Sequence, residues 1–150
     1  EDLERLALKA LSEGEYGAIS GMAPFLSSEF NYKIAIAMLE QGGKGLDGLA
    51  PFLEREQVDA IAKNLLEKGG LSAVEGLLPF LSAECRKELA EKEYAAKGLR
   101  GLGHIAPFLD KDYLTDLAKE ALKKGDFKAV ASVAPFIRRE AIAEAMDKYL

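Results

Sequence analysis

The side chains best suited to nucleophilic chemistry are the single cysteine, Cys85, and the single histidine, His104, which could take the thiol proton. A small Cys-His hydrolase would require the two to meet. Beside them stand Arg86 and Glu93, seven residues apart and therefore two turns along one helix face. Arg86 occupies the place held elsewhere in the chain by Val58, Leu114 and Ile142, and Glu93 that of Met38, Leu65 and Ala121. His104 replaces the small residues Gly21, Gly48, Gly76 and Ser132. Three polar substitutions in one stretch make Arg86, Glu93 and His104 the candidate binding residues, because local rules tend to break at functional or strained sites. The plainer expectation is that Arg86 and Glu93 edge the core stripe, satisfied by each other or by water, while His104 caps or packs and Cys85 is a small half-buried hydrophobe.

Other chemistry is not encoded. One cysteine and one histidine cannot supply a structural zinc site of four protein ligands, and no metal or cofactor is expected. Gly98, Gly101 and Gly103 imitate part of a dinucleotide fingerprint, but no strand precedes them. No His-Glu-x-x-His pattern and no serine elbow occurs, so the expectation is a protein without enzymatic activity.

The elements that position these residues come from an internal repeat. Ala23-Pro24-Phe25-Leu26 recurs at Ala50-Pro51-Phe52-Leu53, Leu78-Pro79-Phe80-Leu81, Ala106-Pro107-Phe108-Leu109 and Ala134-Pro135-Phe136-Ile137. The prolines are spaced 27, 28, 28 and 28 residues apart, and they are all the prolines of the chain. Five residues beyond each comes an acid, Glu29, Glu56, Glu84, Asp112 or Glu140, with Ser27, Ser82 and Asp110 as N-caps, which predicts a helix start. Apolar pairs then follow at helical spacing: Ile34-Ala35 with Met38-Leu39, Ile61-Ala62 with Leu65-Leu66, Leu117-Ala118 with Ala121-Leu122, and near the chain start Leu6-Ala7 with Ala10-Leu11. Gly14, Gly42-Gly43, Gly69-Gly70, Gly98 and Gly125 close these helices as left-handed caps. A second, shorter helix follows each glycine, for instance through Leu71, Val74 and Leu77-Leu78, and its apolar phase predicts a kinked continuation past the proline.

Each unit is thus a helix pair whose apolar faces can be buried only by stacking. The expected fold is all-α, an α-solenoid of about five stacked helix pairs of about 28 residues, about eleven helices in all. One domain spans 1–150, with units near 1–23, 24–50, 51–78, 79–106 and 107–134 and a terminal helix 135–150. The phenylalanines Phe25, Phe52, Phe80, Phe108 and Phe136 are expected to form a buried spine, and the alternative is a surface on which a peptide stacks. The chain begins at Glu1 without a methionine or a charged-then-apolar leader, so no signal peptide is expected and the segment is read as excised or processed. It ends on Tyr149-Leu150 in the phase of core positions.

The helix-pair periodicity and the apolar-Pro-apolar motif make the whole chain resemble a short-unit relative of armadillo and HEAT repeats, which implies a protein-binding scaffold. Gln57-Val58-Asp59-Ala60-Ile61-Ala62, Gly69-Gly70 and Leu77-Leu78-Pro79-Phe80-Leu81 also resemble, in order, the unit of transcription activator-like effectors. In that family a base-reading loop follows the Ala-Ile-Ala segment, whereas here Leu65-Leu66 keep the apolar phase of the helix. The repeats are similar as well to helical repeats of uncharacterised bacterial proteins.

Charge agrees with the scaffold. Twenty Lys and Arg against 25 Asp and Glu leave −5, interleaved without a basic stripe, so neither nucleic acid nor a membrane surface is an expected partner. No run of 18 uncharged apolar residues exists. The leading expectation is a non-enzymatic helical-repeat scaffold that binds a protein or peptide along one face. The second is self-assembly into homo-oligomers through terminal repeats that lack polar caps.

Overall fold

The computed structural model describes residues 2–149. Leu150, placed in core phase by the repeat, lies outside them. Among the described residues the chain is all-helical, with nine α-helices, six 3₁₀ segments and no strand. It forms two compact units, Glu1–Ser82 and Ala83–Leu150.

In the first unit, α1 (Asp2–Ser12) pairs with α2 (Tyr16–Met22), and α3 (Ser28–Glu40) pairs with the short α4 (Leu46–Leu49). Then α5 (Arg55–Gly69) pairs with a 3₁₀ helix, Leu71–Phe80. Corresponding helices touch in turn: α1 packs on α3, α3 on α5, and α2 on α4. In the second unit, α6 (Ala83–Lys97) pairs with the 3₁₀ helix Leu99–Leu102, α7 (Lys111–Lys123) pairs with α8 (Phe127–Val133), and α7 packs on α9 (Arg139–Tyr149).

The first helices start where the polar stretch supplies caps. Ser27 Oγ accepts from Phe30 N at 3.1 Å, and Asp110 Oδ2 from Tyr113 N at 3.2 Å, each satisfying one orphan amide of the first turn. At α5 the reach-back partner is Gln57, whose Oε1 accepts from Glu54 N at 3.0 Å. The apolar pairs fill the core: Ile34, Ala35 and Met38, and likewise Ile61 and Ala62, are at most 2% exposed. Glycine ends the helices in left-handed geometry, as at Gly14 (φ +73°) and Gly125 (φ +79°).

Two of the expected second α-helices, those after Gly70 and Gly98, contain 3₁₀ helix, whereas the still shorter segment between Gly43 and Pro51 holds the single α-helical turn α4. Nine residues separate the capping glycine from the motif proline where α2 and α8 form, after Gly14 and Gly125. Only eight separate them after Gly70 and Gly98, and there the chain winds as 3₁₀. A 3₁₀ helix rises about 2.0 Å per residue against about 1.5 Å for an α-helix, so it reaches the proline with one residue fewer.

At Pro79 the helix does run on through the proline, inside the 3₁₀ helix Leu71–Phe80, but at the other four prolines the expected kinked continuation is replaced by a single turn. Ala23–Phe25, Ala50–Phe52, Ala106–Phe108 and Ala134–Phe136 are single 3₁₀ turns with the proline at their start, and the next residue is extended, as at Leu26 (φ −106°, ψ 157°). Proline has no amide to donate and its ring crowds the carbonyl four residues back, so the helix tightens and stops.

That turn also overturns the buried phenylalanine spine. Side chains three apart eclipse in a 3₁₀ helix, so when Leu78 faces inward Leu81 does too, each 1% exposed. The residue before proline is buried at Ala23, Ala50 and Ala106 as well. Phenylalanine, two residues on, is turned away: Phe25 is 75% and Phe108 37% exposed, and Phe52, Phe80 and Phe136 are half-buried.

Candidate functional site

Helix α6 carries three of the four side chains singled out for chemistry, with Arg86 and Glu93 two turns apart on one face and Cys85 one residue round from it. Cys85 is 2% exposed and Arg86 is half-buried. Glu93 is buried, and its carboxylate meets Lys97 Nζ one turn on at 3.6 Å. Arg86 and Glu93 are separated by about 10 Å of helix rise, and the ion partner drawn to Glu93 is Lys97. Gly101 seats against the same carboxylate: a β-carbon there would stand 3.2 Å from Glu93 Cγ and 2.8 Å from Lys97 Cβ. The 3₁₀ helix Leu99–Leu102 lies over Glu93 at that glycine. His104 lies beyond it in the turn 103–105 and is exposed. A thiol in the core and an imidazole at the surface are poorly placed for nucleophilic chemistry. Among the described residues no cluster of three or more His, Cys, Asp or Glu could hold a metal ion.

Several polar positions that the sequence did not single out turn out to tie successive helix pairs together. Asp59, eight residues beyond Pro51, accepts from Ser82 N at 3.0 Å and from Ser82 Oγ at 2.7 Å. Thr115, eight beyond Pro107, accepts with Oγ1 from Arg138 N at 2.9 Å while donating to Lys111 O at 2.7 Å. Each tie spans 23 residues and delivers an acceptor to the amide three residues after the next motif proline. Asn31, 1% exposed, donates from Nδ2 to Ala23 O at 3.0 Å and so holds the first 3₁₀ turn. Asp59 and Thr115 share a register eight beyond the motif proline, a signal that is readable only once the partner 23 residues on is known, and Asn31, seven beyond Pro24, lies outside it.

The pair between those two ties has Lys87 in that register, which has no acceptor to offer. A cavity of about 200 Å³ lies there, lined by Ala83, Lys87, Phe108, Leu109, Asp110 and Tyr113. Lys87 Nζ stands 5.7 Å from the centre of the Tyr113 ring, within cation–π range. Burial, and then the nearby Glu91 carboxylate, push the Tyr113 hydroxyl above its ordinary pKa, so it stays a neutral donor. The cavity offers an ammonium, the Asp110 carboxylate and two aromatic walls.

Ion pairs join pairs at the surface of the second unit. Arg100 Nη2 meets Asp126 Oδ1 at 2.9 Å, and that hydrogen bond holds the Asp126 carboxyl below the usual aspartate range. Arg138 pairs with Asp112.

No helix among the described residues is long and apolar enough to cross a membrane. Comparison with protein-family models, with curated proteins and with solved structures found no match.

Proposed function

We propose that this chain is a non-enzymatic α-solenoid scaffold that binds a protein or peptide along one face of the stack. The packing supports stacking, since first helices meet in turn in the first unit, α1 to α3 to α5, and α7 meets α9 in the second. The observation that carries the binding reading is the outward phenylalanine of the 3₁₀ turns. Each helix pair presents an aromatic ring at one register, and Phe25 at 75% exposure contributes little to its own fold. Exposed aromatic side chains are the usual anchors of protein interfaces. Beside Phe108 the Lys87–Tyr113 cavity adds a pocket for one partner side chain. Arg86 and His104 supply polar contacts in this reading, and Glu93, buried against Lys97 and Gly101, serves packing.

A displayed peptide library selected on the protein, followed by fluorescence anisotropy, tests this. Selected peptides should lose about tenfold or more in affinity for Phe25→Ala or Phe108→Ala, with Lys119→Ala unchanged. Peptides that bind all three variants equally, or a library that yields no binder, would overturn it.

A further inference from the structure

From the second motif onward, the amide three residues after the proline takes a side-chain acceptor at every proline but one. Glu54 N donates to Gln57, Ser82 N to Asp59 and Arg138 N to Thr115. The amide in that place after Pro107 is Asp110 N, which has no acceptor among the described residues. The side chain in the register of Asp59 and Thr115 is there Lys87, and Lys87 and Asp110 both line the cavity of about 200 Å³. The ammonium is open as well. Its Nζ lies over the Tyr113 ring at 5.7 Å, and among the described residues no carboxylate pairs with it. Two donors thus border one cavity at the register where, in the first unit, the Asp59 carboxylate accepts from Ser82 N and Ser82 Oγ.

We propose that this cavity receives the carboxylate of an aspartate or glutamate side chain of a bound peptide, one oxygen accepting from Asp110 N and the other from the Lys87 ammonium, between the rings of Phe108 and Tyr113. The proposal rests on the peptide-binding reading and names what the pocket beside Phe108 selects. The occupant does from outside what Asp59 does from within the chain. A hydrogen bond between ions is about twice as strong as one between neutral groups, so the ammonium sets the choice. A neutral amide or alcohol would satisfy Asp110 N and leave Lys87 with the ring alone. A phosphate would bring a second negative charge towards two acids already present. One is the Asp110 carboxylate, which lines the cavity and accepts from Tyr113 N at 3.2 Å; the other is Glu91, whose charge acts on Tyr113. A singly charged carboxylate meets both donors at the smaller cost.

Peptides with amidated C-termini, selected from a displayed library on the whole chain, test this by fluorescence anisotropy and amide hydrogen exchange. They should share an acidic residue whose replacement by the matching amide weakens binding about tenfold, and less at high salt. In Lys87→Met the same replacement should cost less than about twofold, while the loss on Phe25→Ala remains. In the wild-type complex Asp110 N–H should exchange about tenfold more slowly than in the free protein. Lys87→Thr supplies a hydroxyl in the register of Thr115, so it should slow that exchange without peptide and abolish the preference for an acid. Lys87 is exposed, so both variants keep the fold, which circular dichroism checks. Peptides that depend on Phe25 but on no acid, an acid worth as much in Lys87→Met as in wild type, or an Asp110 N–H indifferent to peptide overturns the inference and leaves the binding reading standing. A library that yields no binder removes both.

Discussion

Replacing Thr115 by valine should cost the second unit about 1–2 kcal/mol. The two side chains are nearly the same shape and have similar helix propensity, so the change removes the hydroxyl and little else. That hydroxyl accepts from Arg138 N at 2.9 Å in a part-buried place. Stranding such an amide costs about 1–3 kcal/mol. The methyl that takes the hydroxyl's place is buried, since Thr115 is 3% exposed, and returns up to about 0.8 kcal/mol. Lys111 O, the other partner, sits inside α7 and suffers little. Amide hydrogen exchange reads the effect at the bond itself: Arg138 N–H should exchange about five- to thirtyfold faster in Thr115→Val. Thr115→Ser keeps the acceptor and should leave Arg138 protected even if total stability falls through the lost methyl. Equal Arg138 exchange in wild type and Thr115→Val would refute the claim that side chains in this register tie one helix pair to the next.

Two further outcomes follow from the same geometry. Arg100 lowers the Asp126 pKa, so the pair's contribution is present above the unfolded-state aspartate range and is lost as pH falls through the lower folded-state value. The stability difference between wild type and Arg100→Gln, measured by denaturant unfolding, should therefore be largest near neutrality, shrink with salt, and vanish in acid; a difference independent of pH would rule the pair out. Cys85 at 2% exposure should react with a thiol reagent only as fast as the second unit opens, and urea should accelerate labelling steeply. Rapid labelling without denaturant would restore the thiol as a reactive group.

The regular parts of the chain were legible because they repeat. Proline spacing, capping residues and apolar pairs such as Ile61-Ala62 with Leu65-Leu66 each state the same helix, and consistency across levels is what makes a sequence readable. The winding of the second helices was harder, because Gly70 and Gly98 look like Gly14 until the distance to the next proline is counted. The phenylalanines misled for a related reason: hydrophobicity predicts burial on average, whereas the three-residue turn points Phe25 away from the face its neighbour Ala23 occupies. At the candidate site, polarity against an apolar background marked Arg86, Glu93 and His104, but it could not tell that Glu93 would be buried with Lys97 while His104 reached the surface. The ties from Asp59 and Thr115 went unmarked, because a single polar residue on a helix is ordinary until its partner 23 residues away is known.

The exchange of α for 3₁₀ winding between glycine and proline has a consequence for how such a chain can change. A codon lost from that segment would ordinarily rotate every later side chain by about 100° and tear the next interface. Here the loss is absorbed as a change of pitch, a vernier that keeps the following turn where its neighbour needs it. Segments after Gly14, Gly70, Gly98 and Gly125 can therefore drift in length by one residue while the layers on either side keep their alignment.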